Sequence, residues 1–241
     1  MGLNCNLDEI NGYMLCVADF FSSTLGPSLI EVFKLGSLAH GGFSAIYSDI
    51  DVGLLLQCTE PPALMAEAVA AAQELDSEYG KKLSVFWGNP DFTWGRLPVI
   101  DRLDLLDHGV PLLRDHKPDF PRPTIAQVHQ ALRQSFERSY KPRLPELGSL
   151  FQLQAHNRKP YIRTLLYPAR FIYTWDNLAV DSNDSAVNYL HQVSPPGLDL
   201  KPIDMALSCR QEKCSAEDVF ILRTDLARQF EAMNSYVAGN R

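Results

Sequence analysis

Gly36-Ser37-Leu38-Ala39-His40-Gly41-Gly42, followed by Ser48-Asp49-Ile50-Asp51, is the stretch on which the reading of this chain turns. Before it runs an apolar segment, Leu29 to Leu35, and after it another, Val52 to Leu56, each of strand length. The glycines and serines between them describe a turn rather than a helix. Asp49 and Asp51 stand two residues apart where the second strand opens, so both carboxylates project from one face of it. Two hard oxygen donors side by side suit Mg2+, which also takes oxygens from a triphosphate. Gly36-Ser37 follows the first strand, and its N–H groups, with no Cβ at Gly36 in the way, can cradle phosphates. Ser48 and His40, inside the same segment, are further candidates for the nucleotide. His40 either touches a phosphate or caps the turn.

Outward from this segment the chain is punctuated clearly. Upstream, Ile10, Tyr13, Met14, Val17, Phe20 and Phe21 fall at helical spacing, and Gly26-Pro27 ends that helix. Downstream, Pro61-Pro62 opens a helix striped by Met65, Val69, Ala72, Leu75 and Tyr79, which Gly80 closes. Leu83 to Trp87 reads as a third strand. The prolines at 118, 121 and 123 form a linker. Beyond it the pattern is helical throughout: Ile125, Val128, Leu132 and Phe136 make one stripe, and Ile162, Leu165, Ala169, Ile172 and Tyr173 another. Ser215 with Asp218 reads as a capping box for a last helix. The expectation is therefore α+β over residues 1–120, joined to an all-α domain over 121–241.

Composition narrows the partners. Of 241 residues, 46% are apolar, enough for a sizeable core, and the net charge of −7 is the opposite of a nucleic-acid footprint. No apolar run reaches the ~18–20 residues of a membrane span, and the start is too polar for a secretory signal. Cys5, Cys16, Cys58, Cys209 and Cys214, without a Cys-x-x-Cys pair, read as reduced thiols of a cytoplasmic protein.

The Gly-Ser and Gly-Gly pairs followed by Ser48-Asp49-Ile50-Asp51 resemble the signature of the DNA polymerase β-like nucleotidyltransferases. The branch most similar is that of the aminoglycoside adenylyltransferases acting on streptomycin and spectinomycin. The resemblance is specific over roughly residues 30–58, with a weaker echo in the Arg-x-x-Tyr at Arg170 and Tyr173. It implies a mixed sheet with flanking helices, a helical second domain, ATP and Mg2+ as cofactors, and a cleft between the two domains. Arg170 would then reach the nucleotide. The sequence departs from that pattern at Ser84, where a third carboxylate is expected on the next strand, and at Asn183, where a lysine is expected. Asp91, in the turn after that strand, and Asp101 are the candidates to replace the missing acid. Asp101, Asp104 and Asp107 recur at threes and otherwise read as a solvated helix face. The function expected is nucleotidyl transfer to a hydroxyl of a small molecule or protein. A nucleotide-binding regulatory module with a degenerate site, or a toxin-like transferase acting on protein or RNA, are the alternatives.

Overall fold

The computed structural model describes residues 7–58, 62–115, 119–150, 155–211 and 226–239. These form two compact units, Met1–Pro123 and Thr124–Arg241.

The first unit is built on a four-stranded mixed sheet. Its strands are β1 (Leu29–Leu35), β2 (Ile50–Leu56), β3 (Leu83–Gly88) and β4 (Val110–Pro111), in the order β3-β2-β1-β4. β1 runs antiparallel to β2 and to β4, whereas β2 and β3 are parallel, as a helical crossover between them requires. Alternation sorts the side chains onto two faces. Ile50, Val52, Leu54 and Leu56 join Val32, Leu83 and Val85 against α1 (Leu7–Leu25) and α2 (Met65–Glu74). Phe33, Leu35 and Leu55 form the opposite face with Leu105 of α3 (Val99–His108). Asp51 lies on this second face, directly across from Leu35.

Two features of the unit differ from the sequence expectation. α2 stops at Glu74, and Gly80 begins a separate 3-10 turn before β3. A Cβ at Gly80 would sit within 1.8 Å of the Gln73 carbonyl, so the chain folds back there rather than continuing the helix. The short β4 was also not anticipated. It is held by Glu31, whose fully buried carboxylate accepts the N–H groups of Val32, Leu113 and Arg114 at 2.8–2.9 Å. A buried charge is tolerated when donors surround it in this way.

Among its described residues the second unit is helical. Its helices are α4 (Ile125–Ser135), α5 (Leu144–Gly148), α6 (Ala155–Leu165), α7 (Tyr167–Asn177), α8 (Asn183–Val193), α9 (Leu200–Arg210) and α10 (Leu226–Gly239). Thr124 and Gln127 cap α4 reciprocally. The single stripe expected from Ile162 to Tyr173 is two helices, separated at Leu166 by the proline that opens α7. Ile125, expected to be buried, is 58% exposed. The capping box at Ser215 lies outside the described residues. Cys209 is disulfide-bonded, which corrects the reading of all five cysteines as reduced thiols; Cys16 is in no disulfide. No described helix is long and apolar enough to cross a membrane.

Candidate functional site

Because β1 and β2 are antiparallel and β2 and β3 parallel, the end of β1 meets the start of both other strands. Gly36, Asp51 and Ser84 are thereby brought to one end of the sheet, with Asp51 paired to Leu35 on one side and to Ser84 on the other. Asp49 stands just ahead of β2, half-buried like Asp51. The paired carboxylates are thus placed at the mouth of a rigid strand.

Gly36 is the hinge of this arrangement. It has φ +62°, and a Cβ there would fall 2.4 Å from Oδ2 of Asp51. Only glycine accepts both the left-handed backbone and that approach. Its N–H donates to Oδ2 of Asp104 at 2.7 Å, and its carbonyl accepts the N–H groups of Ala39 and His40. The Gly36 N–H is therefore engaged inside the protein, and the missing Cβ makes room for Asp51. Ser37 is likewise committed: its hydroxyl donates to Ser48 Oγ at 2.9 Å, which also accepts the N–H of Ser44. Ser48, almost fully buried, ties the glycine turn to the chain entering β2. Lys82 adds a second tie by donating to the Ala45 carbonyl.

The remaining predicted residues fall in different places. Ser84 is half-buried beside Asp51 on the same face. Asp101 lies in the first turn of α3, half-buried. The α3 carboxylate set against the glycine turn is Asp104, one turn further on. At 5% exposure Asp104 is not part of a solvated stripe. Its signal was present: with Leu103 it continues the apolar phase of Ile100 at i+3 and i+4. Burial pushes the Asp104 carboxyl above its ordinary range, opposed by His40, by the Gly36 N–H and by His108. Asp107 instead holds Arg122 through both oxygens. His40 Nδ1 lies 3.1 Å from the Gly41 carbonyl, an acceptor, and the ring meets that of His108 edge to face.

Asp91 is carried past Gly88 to the opposite end of β3 from Ser84, exposed in a turn. Four strand residues at ~3.3 Å each already separate that turn from Ser84, so Asp91 does not join the carboxylates. Lys34 points to Asn11 of α1, on the other face of the sheet from Asp51. Trp87 packs in the core beneath Arg96, and Trp94 donates its indole N–H to the Cys58 carbonyl. In the helical unit, Arg170 donates to the Tyr140 hydroxyl at 3.1 Å and more distantly to the Arg163 carbonyl. Burial pushes the Tyr140 phenol up, but Arg170 and Arg163 outweigh it and its pKa is lowered.

Whether these residues fit a divalent cation can be judged from the donor set. Asp49 and Asp51 offer hard oxygens, and the missing Cβ of Gly36 leaves the space that the Asp51 carboxylate uses. Among the described residues no three His, Cys, Asp or Glu side chains gather into a complete metal cage. Magnesium does not need one, since it keeps waters and takes phosphate oxygens alongside one or two carboxylates. The residues fit.

A mixed sheet of this order, carrying paired carboxylates where β1 turns into β2 and flanked by helices, is an α+β nucleotidyltransferase fold. Among solved structures it superposes on spectinomycin adenyltransferase AAD(9) from Enterococcus faecialis, determined with ATP and spectinomycin. The TM-score is 0.67 over 92% of this chain and 98% of that one, at 14% sequence identity, so the likeness is one of fold. No protein-family model and no curated protein sequence matches the chain.

Proposed function

We propose that this protein transfers a nucleotidyl group, AMP from ATP, to a hydroxyl of a small molecule or a protein. The observation that carries the proposal is the seating of Asp51 against a positive-φ glycine at the end of β1, with Asp49 beside it. A strand end where the missing Cβ of a glycine leaves room for one carboxylate, with a second beside it, offers the hard oxygens a divalent cation takes. The fold neighbour was solved with ATP and spectinomycin, which favours a nucleotide and a small-molecule acceptor here.

When bound, magnesium would be held by Asp49 and Asp51 and would supply positive charge to the phosphates. The chain's own contribution is positioning. Ser37, Ser48 and Lys82 fix the loop that delivers Asp49, and β2 fixes Asp51. In the reaction the acceptor oxygen bonds to the α-phosphorus, the bond to the bridging oxygen breaks, and pyrophosphate leaves. The acceptor's proton needs a destination, and Ser84 is too weakly basic to take it. Turnover is therefore slow, with the proton passing to water or to the nucleotide. In the helical unit Arg170 remains the proposed nucleotide-binding side chain, on its charge and on an Nε that has no hydrogen-bond partner among the described residues.

Ser84 also favours a second reading, in which the site binds nucleotide without turnover. ATP labelled at the α-phosphate, incubated with the protein, magnesium and cell extract, separates the two. Label moving to a small molecule or protein with release of pyrophosphate supports transfer. Magnesium-ATP binding with pyrophosphate release no faster than without protein leaves only the binding module. Label on RNA would point to the toxin-like alternative.

A further inference from the structure

Asp104 is the most conspicuous group that the chemistry above does not use. It is a carboxylate at 5% exposure, on a helix packed over the face that carries Asp51 and Ser84. One oxygen accepts the Gly36 N–H at 2.7 Å, while the other, Oδ1, is buried and has no hydrogen-bond partner among the described residues. Leaving a buried carboxylate oxygen unpartnered is expensive, a cost that an apolar side chain in its place would not carry. A residue kept at such expense is there for the bond it does make.

That bond leads directly to the carboxylate pair. The same glycine whose N–H reaches Asp104 presents its Cα to Asp51, with the would-be Cβ 2.4 Å from Oδ2. Gly36 is thus gripped between two carboxylates, one from the sheet and one from the helix. Joined through the N–Cα–Cβ frame of one residue, the two contacts hold the carboxylates within about 8 Å of each other. The left-handed conformation of Gly36 is readily exchanged for others in an isolated glycine. A hydrogen bond from its N–H to a buried acceptor selects one of them, and the selected one is that in which Asp51 has room. The turn that follows is set by Gly36 as well: Ala39 and His40 both bond to the Gly36 carbonyl, while Ser37 is tied to Ser48.

We propose that Asp104 is a positioning residue: by accepting the Gly36 N–H from the overlying helix it fixes the turn against which Asp51 is seated to bind a metal–nucleotide complex. The inference rests on the nucleotide reading of the site and adds a residue to it. Asp104 touches neither metal nor phosphate in this role; it acts through Gly36. The substitutions that separate this role from packing are Asp104→Asn, which keeps an oxygen acceptor at nearly the same volume, and Asp104→Leu, which keeps the branched shape in a larger side chain and removes the acceptor.

Calorimetry of ATP binding, with and without magnesium, should show Asp104→Leu losing about tenfold or more in affinity for magnesium-ATP. Its affinity for ATP in the absence of metal should stay within about threefold of wild type, and Asp104→Asn should bind magnesium-ATP within about threefold as well. A purely structural role would lower the melting temperature while moving both affinities together. In parallel, NMR on the unsubstituted protein should detect a through-hydrogen-bond coupling between the Gly36 amide nitrogen and the Asp104 carboxyl carbon. Wild-type magnesium-ATP affinity in Asp104→Leu, equal losses with and without metal, or absence of that coupling would each overturn the proposal. Should Asp104→Leu fail to fold, Asp104→Asn decides: retained affinity supports a role through the acceptor oxygen, and a tenfold loss shows that the charge acts instead and overturns it. A wild-type protein that binds no magnesium-ATP removes the nucleotide reading itself, a result distinct from all of these.

Discussion

The two ends of the sheet in the first unit are similar in composition and opposite in construction. At the end where β3 finishes, Asn89 exchanges hydrogen bonds with Thr93, Trp94 donates to the Cys58 carbonyl, and Asp91 stands in solvent. The turn satisfies itself. At the end where β2 begins, a positive-φ glycine is pressed between Asp51 and Asp104, and Asp104 keeps an oxygen without a partner. Both ends contain a glycine that no other residue could replace without strain, for Gly95 has φ +119° and would place a Cβ 2.4 Å from the Trp87 carbonyl. A positive-φ glycine alone therefore does not mark function. What distinguishes the Gly36 end is that the missing Cβ there makes room for a carboxylate, whereas at Gly95 it lets a turn close onto backbone.

The comparison is sharpened most by restoring an acid. Ser84→Glu places a carboxylate beside Asp51 on the same face, and initial rates of pyrophosphate release should rise toward the ~10²–10⁴-fold that a general base contributes. An unchanged or lower rate would mean that Ser84 does not address the acceptor. Next in size are the two glycines. Gly36→Ala and Gly95→Ala should each destabilise the fold by about 1–3 kcal/mol in urea titrations, because each forces an L-residue into a strained conformation. Only Gly36→Ala should also weaken magnesium-ATP binding, and a matching loss for Gly95→Ala would erase the distinction between the ends.

A smaller effect concerns pH. The Asp104 carboxyl is raised above its ordinary value of 3.8 by burial, against the opposing influence of His40, the Gly36 N–H and His108 and with that of Asp107. The folded state thus holds its proton more tightly than the unfolded chain. Stability is full below the unfolded pKa, falls as pH rises through the window between the two values, and levels off above the folded one. Urea midpoints across that window should show the fall in wild type and a shallower one in Asp104→Asn. The smallest effect belongs to the far end: Asp91→Asn should leave stability within about 0.5 kcal/mol and magnesium-ATP affinity within about twofold.

Legibility from sequence followed the range of the forces involved. The β1–turn–β2 segment was readable because its apolar strands, glycine turn and paired acids are all written within about two dozen consecutive residues, where period and turn chemistry are reliable guides. The helices of the second unit were readable for the same reason, although Pro168 divided one stripe into two. Asp104 was not, because an aspartate at every third position looks like a solvated face until the helix is docked on a sheet. Its place in the apolar phase with Leu103 was the available sign. Glu31 was hidden similarly: nothing local announces that three N–H groups, two of them more than eighty residues away, will converge on it. The bond from Gly36 to Asp104 was hidden as well, since whether a glycine N–H meets a neighbouring helix is decided by tertiary packing.

The central claim, that Asp49 and Asp51 hold a metal–nucleotide complex, is tested most directly by calorimetry of ATP with and without magnesium on wild type and on the Asp49→Ala, Asp51→Ala double variant. Wild type should bind ATP more tightly with magnesium, and the double variant should lose that gain, by about 3 kcal/mol or more, because phosphate charge is left uncompensated at a partly buried strand end. A folded double variant that binds magnesium-ATP as tightly as wild type would contradict the account.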